Sequence, residues 1–413
     1  MRTGTFILCA MLVAGLNTGA KAQTPFARVA NKQVVVKLKP AKPGKVSQWV
    51  STSRQLGYEP IAQVHGSGAR VFEVRNDQSL DEALEAFRSD PNVEYAEPNY
   101  ILEAYEMPND SSAGLQWSIG KTFLPDAWNL THGTPDVTIA VVDTGVDLNH
   151  QDLQGKLTSG YDFVDNDATP GDEHGHGTHC AGIAGAAWGN SKGIAGAGAD
   201  CTIMPVRVLD ADGSGLSDQV ASGIEWAVDH GAKIISLSLG GPAPSNVLND
   251  AVNYAWDHGA LVVCAAGNDG TATRNYPAAY THVISVGATN QNDSRASFSN
   301  FGDWVMVAAP GENIYSTLPN NQYGYMGGTS MATPHVAGIL GLIWSRMGTN
   351  ATNTQVRQRL ELTCDNIGSW VARGRVNAFK AMNPPVSSGA ITITSQETSV
   401  IGSLRVRVRI AAA

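Results

Sequence analysis

The stretch Leu261-Val-Val-Cys-Ala-Ala-Gly-Asn268 decides the fold, because an unbroken apolar run, Leu261 to Ala266, stops at a glycine and a polar residue. A run of this length predicts a strand, and apolar residues at successive positions indicate that both faces of the strand are buried. Similar runs alternate with amphipathic stretches that predict helices. The runs span 137–142, 203–209, 233–239 and 283–288, and the helices span 216–230 and 247–258. This alternation predicts a three-layer α/β fold, in which helices cover both faces of a mainly parallel, buried sheet.

Two polar residues stand directly after strands of this predicted sheet. Asp143 follows the run 137–142, and Asn268 follows the run that ends at Ala266. Ligands of parallel sheets gather at the carboxyl ends of the strands. We therefore expect a functional site at this edge of the sheet.

Residues 31–105 have a different order of elements, which predicts a separate small domain. The pattern reads strand 33–38, helix 44–56, strand 60–64, strand 69–74, helix 80–88 and strand 93–98. This β-α-β-β-α-β order is typical of a split βαβ, or ferredoxin-like, α+β domain. The second helix carries a start signal, because Ser79 can cap it and Glu82 stands at the capping-box position.

The two ends of the chain lie outside both domains. Residues 1–22 begin with Arg2, continue through an apolar run and reach Ala20-Lys-Ala22, which matches a signal-peptide cleavage site. A membrane anchor is disfavoured because the run is too short to span a bilayer, and lipidation at Cys9 because small residues do not precede it. We therefore expect export and no membrane association. Residues 384–413 could form an edge strand, part of a further domain or a disordered tail.

Composition bears on nucleic-acid binding and on disulfides. A net charge of −9 gives no basic stripe for nucleic acid. Four cysteines remain after export, and each has small or apolar neighbours: Cys180, Cys201, Cys264 and Cys364. Four cysteines in so large a body do not form a disulfide framework, so we expect free buried thiols, with one disulfide as the alternative.

Four short Gly-rich segments carry the candidate chemistry, in the order Asp, His, Asn, Ser. They read Val-Val-Asp143-Thr-Gly, His-Gly-His176-Gly-Thr-His, Ala-Ala-Gly-Asn268-Asp-Gly and Gly-Gly-Thr-Ser330-Met-Ala-Thr-Pro. Together they resemble the motifs of the subtilisin-like serine proteases, above all the thermitase-like members, over about residues 105–383. The resemblance implies a serine endopeptidase with the subtilisin-like fold.

The residue types themselves suit that chemistry. A serine hydroxyl needs a base within hydrogen-bond reach, and the base needs an orienting carboxylate; Ser330, His176 and Asp143 can fill these roles. Ser330 stands at the start of a predicted helix, whose dipole favours a developing oxyanion. Asn268 can add its side-chain amide as a second oxyanion donor.

Three other interpretations are open from the residues alone. His174, His176 and His179 could bind a metal, although this segment lacks the supported ligand set that zinc sites usually have; the resemblance assigns the base to His176. Asp143-Thr-Gly is also the signature of aspartic proteases, but their mechanism needs a second such carboxylate, and the chain has no second Asp-Thr-Gly or Asp-Ser-Gly. A secreted binding protein that keeps the fold without catalysis is the third.

The resemblance also implies the substrate contacts. An extended peptide would lie between two backbone segments and form strand-like hydrogen bonds, which do not depend on the side chains of the peptide. The expected contacts are Gly213, Ser214 and Gly215 on one side and Ser238, Leu239 and Gly240 on the other. Ala265 to Gly267 would wall the pocket for the residue before the scissile bond, with Asn275 at its base. None of these is charged, so we expect broad specificity with a preference for large apolar or aromatic residues.

Three carboxylates within the acidic stretch 162–169 predict a calcium site, since calcium takes hard oxygen ligands. The resemblance implies a calcium loop at 162–169, although Gly171 stands where relatives have a side-chain amide, and a second site elsewhere. The expected ligands of the loop are Asp162, Asp165, Asp167 and Thr169. Those of the second site are Asp110, Asp152 and Asn190, with carbonyls near Ala187, Lys192 and Ile194. A solvated acidic loop is the alternative at each site.

The small domain resembles the inhibitory prosegments of the family, which occupy the active site until they are cut. We therefore expect a signal peptide at 1–22, a propeptide at 23–104 that is cut near Ala104-Tyr105, and a monomeric catalytic domain at 105–383 that acts on polypeptides. An independent binding domain is the alternative for the small domain. A histidine base predicts a neutral to alkaline optimum.

Overall fold

The computed structural model describes residues 29–40, 58, 60–74, 77–101, 107–348 and 350–383. The chain forms two compact units, which divide between residues 102 and 103. The predicted signal peptide, the predicted helix 44–56 and residues 384–413 lie outside the described residues. Within the described ranges, no helix is both long and apolar enough to cross a membrane.

The first unit is a four-stranded antiparallel sheet with one described helix. The strands lie in the order β2-β3-β1-β4, and the helix packs against β1 and β4. The elements are β1 (Val29–Leu38), β2 (Pro60–Gln63), β3 (Arg70–Glu73), α1 (Leu80–Arg88) and β4 (Val93–Tyr100). The predicted capping box is present, because Ser79 Oγ accepts the N–H of Glu82 at 3.2 Å and Glu82 Oε2 accepts the N–H of Ser79 at 2.8 Å. The strands β1 and β4 run longer than predicted.

The second unit contains a seven-stranded sheet in which all strand pairs are parallel, in the order β11-β10-β9-β8-β5-β7-β6. Its strands are β5 (Thr138–Asp143), β6 (Tyr161–Asp162), β7 (Thr202–Arg207), β8 (Ile234–Leu237), β9 (Leu261–Ala265), β10 (Val283–Thr289) and β11 (Val307–Pro310). A separate antiparallel hairpin joins β12 (Ile314–Leu318) and β13 (Gln322–Met326). The predicted mainly parallel α/β fold is confirmed, with strand ends shifted by one or two residues.

Helices cover both faces of this sheet. They are α2 (Trp117–Lys121), α3 (Leu124–Trp128), α4 (His176–Gly185), α5 (Ser217–Asp229), α6 (Asn246–Asp257), α7 (Thr329–Met347), α8 (Asn353–Leu362) and α9 (Ala378–Met382). Successive residues of β5 enter opposite layers: Ile139 and Val141 pack with α4 and α7, whereas Ala140 and Val142 pack with α5 and α6. Burial on both faces explains the unbroken apolar runs, since each buried aliphatic side chain contributes about 1.5–3 kcal/mol.

Candidate active site

The carboxylate of Asp143 and the imidazole of His176 are paired at the carboxyl edge of the sheet. Asp143 is the last residue of β5 and is fully buried, and His176 is the first residue of α4. His176 Nδ1 lies 2.7 Å from Asp143 Oδ1, which also accepts the backbone N–H of Thr144 at 2.8 Å. The carboxylate fixes the orientation of the ring and leaves Nε2 as the nitrogen that can take a proton.

Ser330 lies in the first turn of α7, after the glycine-rich turn that follows β13. Its hydroxyl donates to the carbonyl of Ser238 at 3.2 Å, and the hydroxyl of Ser238 donates to the carbonyl of Ser330 at 2.8 Å. Cys180 lies against both parts of the site, with Sγ 3.5 Å from the Ser330 carbonyl and within 4.8 Å of the His176 and Asp143 ligand atoms. The serine and the imidazole therefore both lie beside Cys180, and the hydrogen bond between such a pair commonly tightens only with substrate bound.

Asn268 and Thr329 form a donor site beside Ser330. Asn268 Oδ1 accepts the backbone N–H of Thr329 at 2.8 Å and its hydroxyl at 2.9 Å. Because both donors point at Oδ1, the amide nitrogen is directed away from Thr329. A Cβ placed on Gly328 would lie 3.3 Å from that nitrogen and 3.5 Å from the backbone nitrogen of Ser330. The missing side chain of Gly328 thus keeps the space between two donors open, as an oxyanion hole requires.

The three histidines of this segment have different environments. Burial alone would lower the pKa of His176, but the charge and hydrogen bond of Asp143, together with the charge of Asp172, outweigh it and raise the pKa. Burial lowers the pKa of His179 to about 4, and its Nε2 lies 3.2 Å from a backbone carbonyl. His174 is exposed. Of the three, His176 is the one whose ring pairs with a carboxylate, which fits the role of base.

A cavity of about 640 Å³ opens beside Ser330. The sequence-predicted residues that line it are Ser238, Leu239, Gly240, Ala265, Gly267, Asn268 and Asn275. A Cβ on Gly267 would lie 2.6 Å from Asn275 Nδ2, so only a glycine lets that amide approach the backbone so closely. Two charged residues, Asp269 and Arg274, also line the cavity. The sequence analysis did not place these charges in the pocket.

The other expected substrate segment, Gly213-Ser214-Gly215, does not line this cavity. It forms a turn closed by Asp210, whose carboxylate accepts the N–H of Ser214 at 3.0 Å. A Cβ on Gly213 would lie 3.2 Å from Nε2 of His174. The turn therefore lies beside the histidine segment.

Asp110, Asp152 and Asn190 lie together, as the second predicted calcium site requires. Asn190 Nδ2 donates to Asp152 Oδ1 at 2.8 Å, and Tyr323 Oη donates to Asp152 Oδ2 at 3.0 Å. Both carboxylates are buried; burial, with a smaller contribution from the charge of Asp152, raises the pKa of Asp110. Neither carboxylate forms an ion pair with another described residue. Two buried like charges without a cationic side chain fit a bound divalent cation.

The loop 187–194 wraps this cluster. The N–H of Ala187 donates to the carbonyl of Asp152 at 2.9 Å, and the N–H of Ile194 donates to its Oδ2 at 2.8 Å. The N–H of Lys192 donates to Asn190 Oδ1 at 2.8 Å. The three residues expected to supply carbonyl ligands therefore all lie around the acidic pair.

Arg207 balances the charge of the other predicted calcium loop. Its Nη1 lies 2.7 Å from both Asp162 Oδ2 and Asp165 Oδ2, and its Nη2 lies 3.1 Å from Glu173 Oε2. Arg207 and Asp162 are buried and face each other in the pairing of β7 with β6. A guanidinium therefore already bonds to two of the four predicted ligands.

The remaining two predicted ligands of this loop are exposed and bond to each other. Asp167 Oδ1 accepts the N–H of Thr169 at 2.7 Å. A loop with an internal cation and three exposed ligands, Asp165 among them, fits calcium less well than the buried Asp110 cluster does.

The four described cysteines are all free, as predicted. Cys180, Cys201 and Cys264 are buried, whereas Cys364 is only half-buried. Burial raises the pKa of Cys201 to about 11, so that thiol stays protonated at neutral pH.

Three residues that organise the site were not found by sequence reasoning: Asp172, Arg207 and Thr329. Thr329 precedes the nucleophile in the quoted motif, so its position was the available signal. Asp172 precedes the base by four residues, and an acidic residue just before a helix is a capping signal. Arg207 gave no local signal.

An Asp-His-Ser set with an oxyanion donor, at the carboxyl edge of a parallel sheet, defines a serine protease. The chain belongs to the subtilase family, whose model, described as "Subtilase family", matches residues 134–381. Residues 17–99 match a model described as the fervidolysin N-terminal prodomain. The protein is therefore a subtilisin-like serine protease with an N-terminal prodomain.

Named relatives agree with this assignment. The chain is 52% identical over 279 residues to thermitase of Thermoactinomyces vulgaris, a match that covers 67% of this chain and 99% of that protein. It is 48% identical over 315 residues to the thermophilic serine proteinase of Bacillus sp. (strain AK1), a match that covers 75% of this chain and 78% of that protein. A solved structure described as proteases from Pseudoalteromonas arctica PAMC 21717 matches with a TM-score of 0.63 and 32% identity, covering 67% of this chain and 99% of that one. The resemblance predicted from the motifs is confirmed.

Proposed function

We propose that this serine protease is an exported, calcium-stabilised endopeptidase that is made as a self-processed precursor. The observation that best supports the catalytic part is the 2.7 Å pairing of His176 with Asp143 beside Ser330. The glycine-rich turn before Ser330 also supports it, because Gly328 carries no side chain and so leaves space beside the serine for a substrate.

The proposed mechanism is acyl transfer. His176 Nε2 takes the proton of the Ser330 hydroxyl as the oxygen attacks the scissile carbonyl carbon, and Asp143 stabilises the imidazolium that forms. The Asn268 amide and the Ser330 N–H bind the oxyanion of the tetrahedral intermediate. His176 then gives the proton to the leaving amine, and water hydrolyses the acyl-enzyme by the same steps in reverse order.

The proposed specificity is broad, with a preference for large apolar or aromatic residues before the scissile bond. The proposal is supported by a cavity of about 640 Å³, which has room for an aromatic side chain and apolar walls at Leu239 and Ala265. The turn at 213–215 and the segment at 238–240 would bond to the peptide backbone, which is the same for every sequence.

Calcium would bind at Asp110, Asp152 and Asn190, with backbone carbonyls of the loop 187–194. When bound, the ion supplies positive charge to two buried carboxylates and so stabilises the folded catalytic unit. The loop 162–169 is proposed as a second, weaker site, since Arg207 already supplies a positive charge there. Chelation would then lower the unfolding temperature, and the loss would come mainly from the first site.

The prodomain is proposed to be an intramolecular inhibitor that is cut near Ala104, after removal of a signal peptide at 1–22. A body built from non-local parallel strand pairs is expected to fold slowly, which gives a covalently attached domain a second use as a folding template. The mature enzyme is proposed to be a secreted monomer.

The test is the intact mass of the purified precursor and of its Ser330→Ala variant, each incubated alone with calcium. We expect only the wild type to lose the segment that ends near Ala104. If neither protein is cut, or both are cut alike, self-processing by Ser330 is refuted and a non-catalytic binding protein becomes the better interpretation.

A further inference from the structure

Asp172 organises the turn that leads into the helix of His176. Its Oδ1 accepts the N–H groups of His174 at 3.0 Å and Gly175 at 2.8 Å. Its Oδ2 accepts the N–H of Thr178 at 2.8 Å and the hydroxyl of Thr178 at 2.5 Å. Gly175 precedes the helix and has no side chain to cap it, so the carboxylate of Asp172 takes that role and also complements the helix dipole.

A fifth hydrogen bond connects Asp172 to the catalytic carboxylate. Thr144 Oγ1 donates to Asp172 Oδ1 at 2.8 Å, and the N–H of Thr144 donates to Asp143 Oδ1 at 2.8 Å. The same threonine hydroxyl accepts the N–H of Gly177, the residue after the base, at 2.9 Å. Asp172 is thus joined to both sides of the Asp143–His176 pair.

We propose that Asp172 is a positioning residue of this protease: it holds Asp143 and His176 in register and places a second negative charge beside the imidazole. The inference rests on the proposed mechanism, in which His176 takes the proton of Ser330. The relative position of the Asp143 and His176 side chains matters because small displacements of reacting groups lower the rate by large factors. The charge matters because it favours the imidazolium that forms in the transition state.

The other ionisable groups that face His176 do not supply this charge. The ring of His174 lies 6.2 Å from that of His176, edge to face, and His179 is the next histidine on α4. The thiol of Cys180 is fully buried. Asp143, on β5, and Asp172 are the carboxylates whose charges contribute most to raising the pKa of His176. Asp143 is part of the triad, so Asp172 is the charge that can be removed separately.

The test compares Asp172→Asn with the wild type. Both proteins are expressed as full-length precursors, allowed to process themselves, and assayed as mature enzymes whose active sites are counted by titration. The kinetics of a chromogenic peptide are measured across the pH range. We expect kcat to fall by about tenfold with little change in KM, and the acid limb of kcat/KM to move to lower pH. Asp136→Asn removes the same charge from an exposed site and should leave both unchanged. Wild-type kcat in Asp172→Asn, or a lower kcat with an unmoved acid limb, would overturn the proposal.

A second variant covers the case in which Asp172→Asn does not fold or process. Thr144→Val keeps both carboxylates and removes only the hydroxyl that links them. We expect a lower kcat with an unmoved acid limb, and an unchanged kcat would overturn the positioning role. If the wild type itself cleaves no peptide, the proposed function fails instead, so the two failures are distinguishable.

Discussion

Removal of the Arg207 cation tests how the loop 162–169 is stabilised. The change Arg207→Met keeps a long apolar stem and leaves Asp162, which is only 1% exposed, without its guanidinium partner. Breaking a buried ion pair costs about 3–5 kcal/mol. Asp162 keeps two backbone N–H donors, from Val164 and Asp165, so the cost should lie at the lower end of this range. The carboxylates of Asp165 and Glu173 are 63% and 66% exposed, so their lost pairs add little. We therefore expect the free energy of unfolding to fall by about 3 kcal/mol.

The assay is thermal unfolding of the mature enzyme after phosphonate inhibition, in chelator, so that neither autolysis nor calcium contributes. A loss of this size lowers the unfolding temperature by about 5 °C. Arg373→Met is the matched control, because Arg373 is 51% exposed and pairs with Glu361 at 3.3 Å, a contact worth less than about 1 kcal/mol. A decrease for Arg207→Met no larger than that of the control would refute the reasoning.

The remaining predictions concern catalysis, calcium and specificity. Asn268→Ala should lower kcat about 100- to 1000-fold, the range known for the oxyanion-hole asparagine of subtilisin, a relative of this chain; a loss under tenfold would contradict its role. The kcat/KM of the wild type should rise with pH through a midpoint above the ordinary imidazole value of about 6.5, because protonated His176 cannot act as a base and its pKa is raised; a midpoint below pH 6 would contradict this. Chelation should lower the unfolding temperature of the wild type and have a much smaller effect on that of Asp152→Asn. Equal decreases in the two proteins would contradict calcium binding at the Asp110 cluster. Arg274→Gln should lower the ratio of kcat/KM for a peptide with Glu before the scissile bond to kcat/KM for the matching Gln peptide by about threefold, because the arginine lines the cavity. The kcat/KM for a Phe peptide should stay unchanged. If the Glu-to-Gln ratio is the same in the wild type and the variant, the arginine does not contact this side chain.

Features that depend on neighbouring residues were predictable from the sequence. Ser79 and Glu82 are three residues apart, so the capping box could be predicted, and the helix has the predicted bounds. The strand that ends at Asp143 could be predicted because burial on both faces leaves an unbroken apolar run. The proposed catalytic residues come from motifs in which small residues and chemical groups occur at fixed spacing, and the structure brings Asp143 and His176 to 2.7 Å.

Features that depend on distant pairing were not predictable. Arg207 and Asp162 are separated by 45 positions and meet only because β6 and β7 pair in one register. The acidic loop by itself predicts a cation, but the sequence does not distinguish a metal ion from a guanidinium. Likewise, the charges of Asp269 and Arg274 enter the substrate cavity through the conformation of the segment after β9, which local pattern does not fix.

The role of Asp172 lies between these cases. Its position before a helix suggests a cap, and the two N–H groups it accepts from His174 and Gly175 are local contacts. Its bond to Thr144 joins segments 28 residues apart, and this contact is what connects the cap to the catalytic carboxylate. A single residue can therefore have one predictable role and one that only the fold creates.

The most direct test of the catalytic assignment is the mass of the mature enzyme after reaction with a fluorophosphonate, followed by peptide mapping. We expect one adduct per chain, on Ser330, in the wild type, and almost none in His176→Ala, because the hydroxyl then lacks its base. An enzyme that cleaves peptides but gains no adduct, or gains it on another residue, would contradict the assignment of Ser330 as the nucleophile.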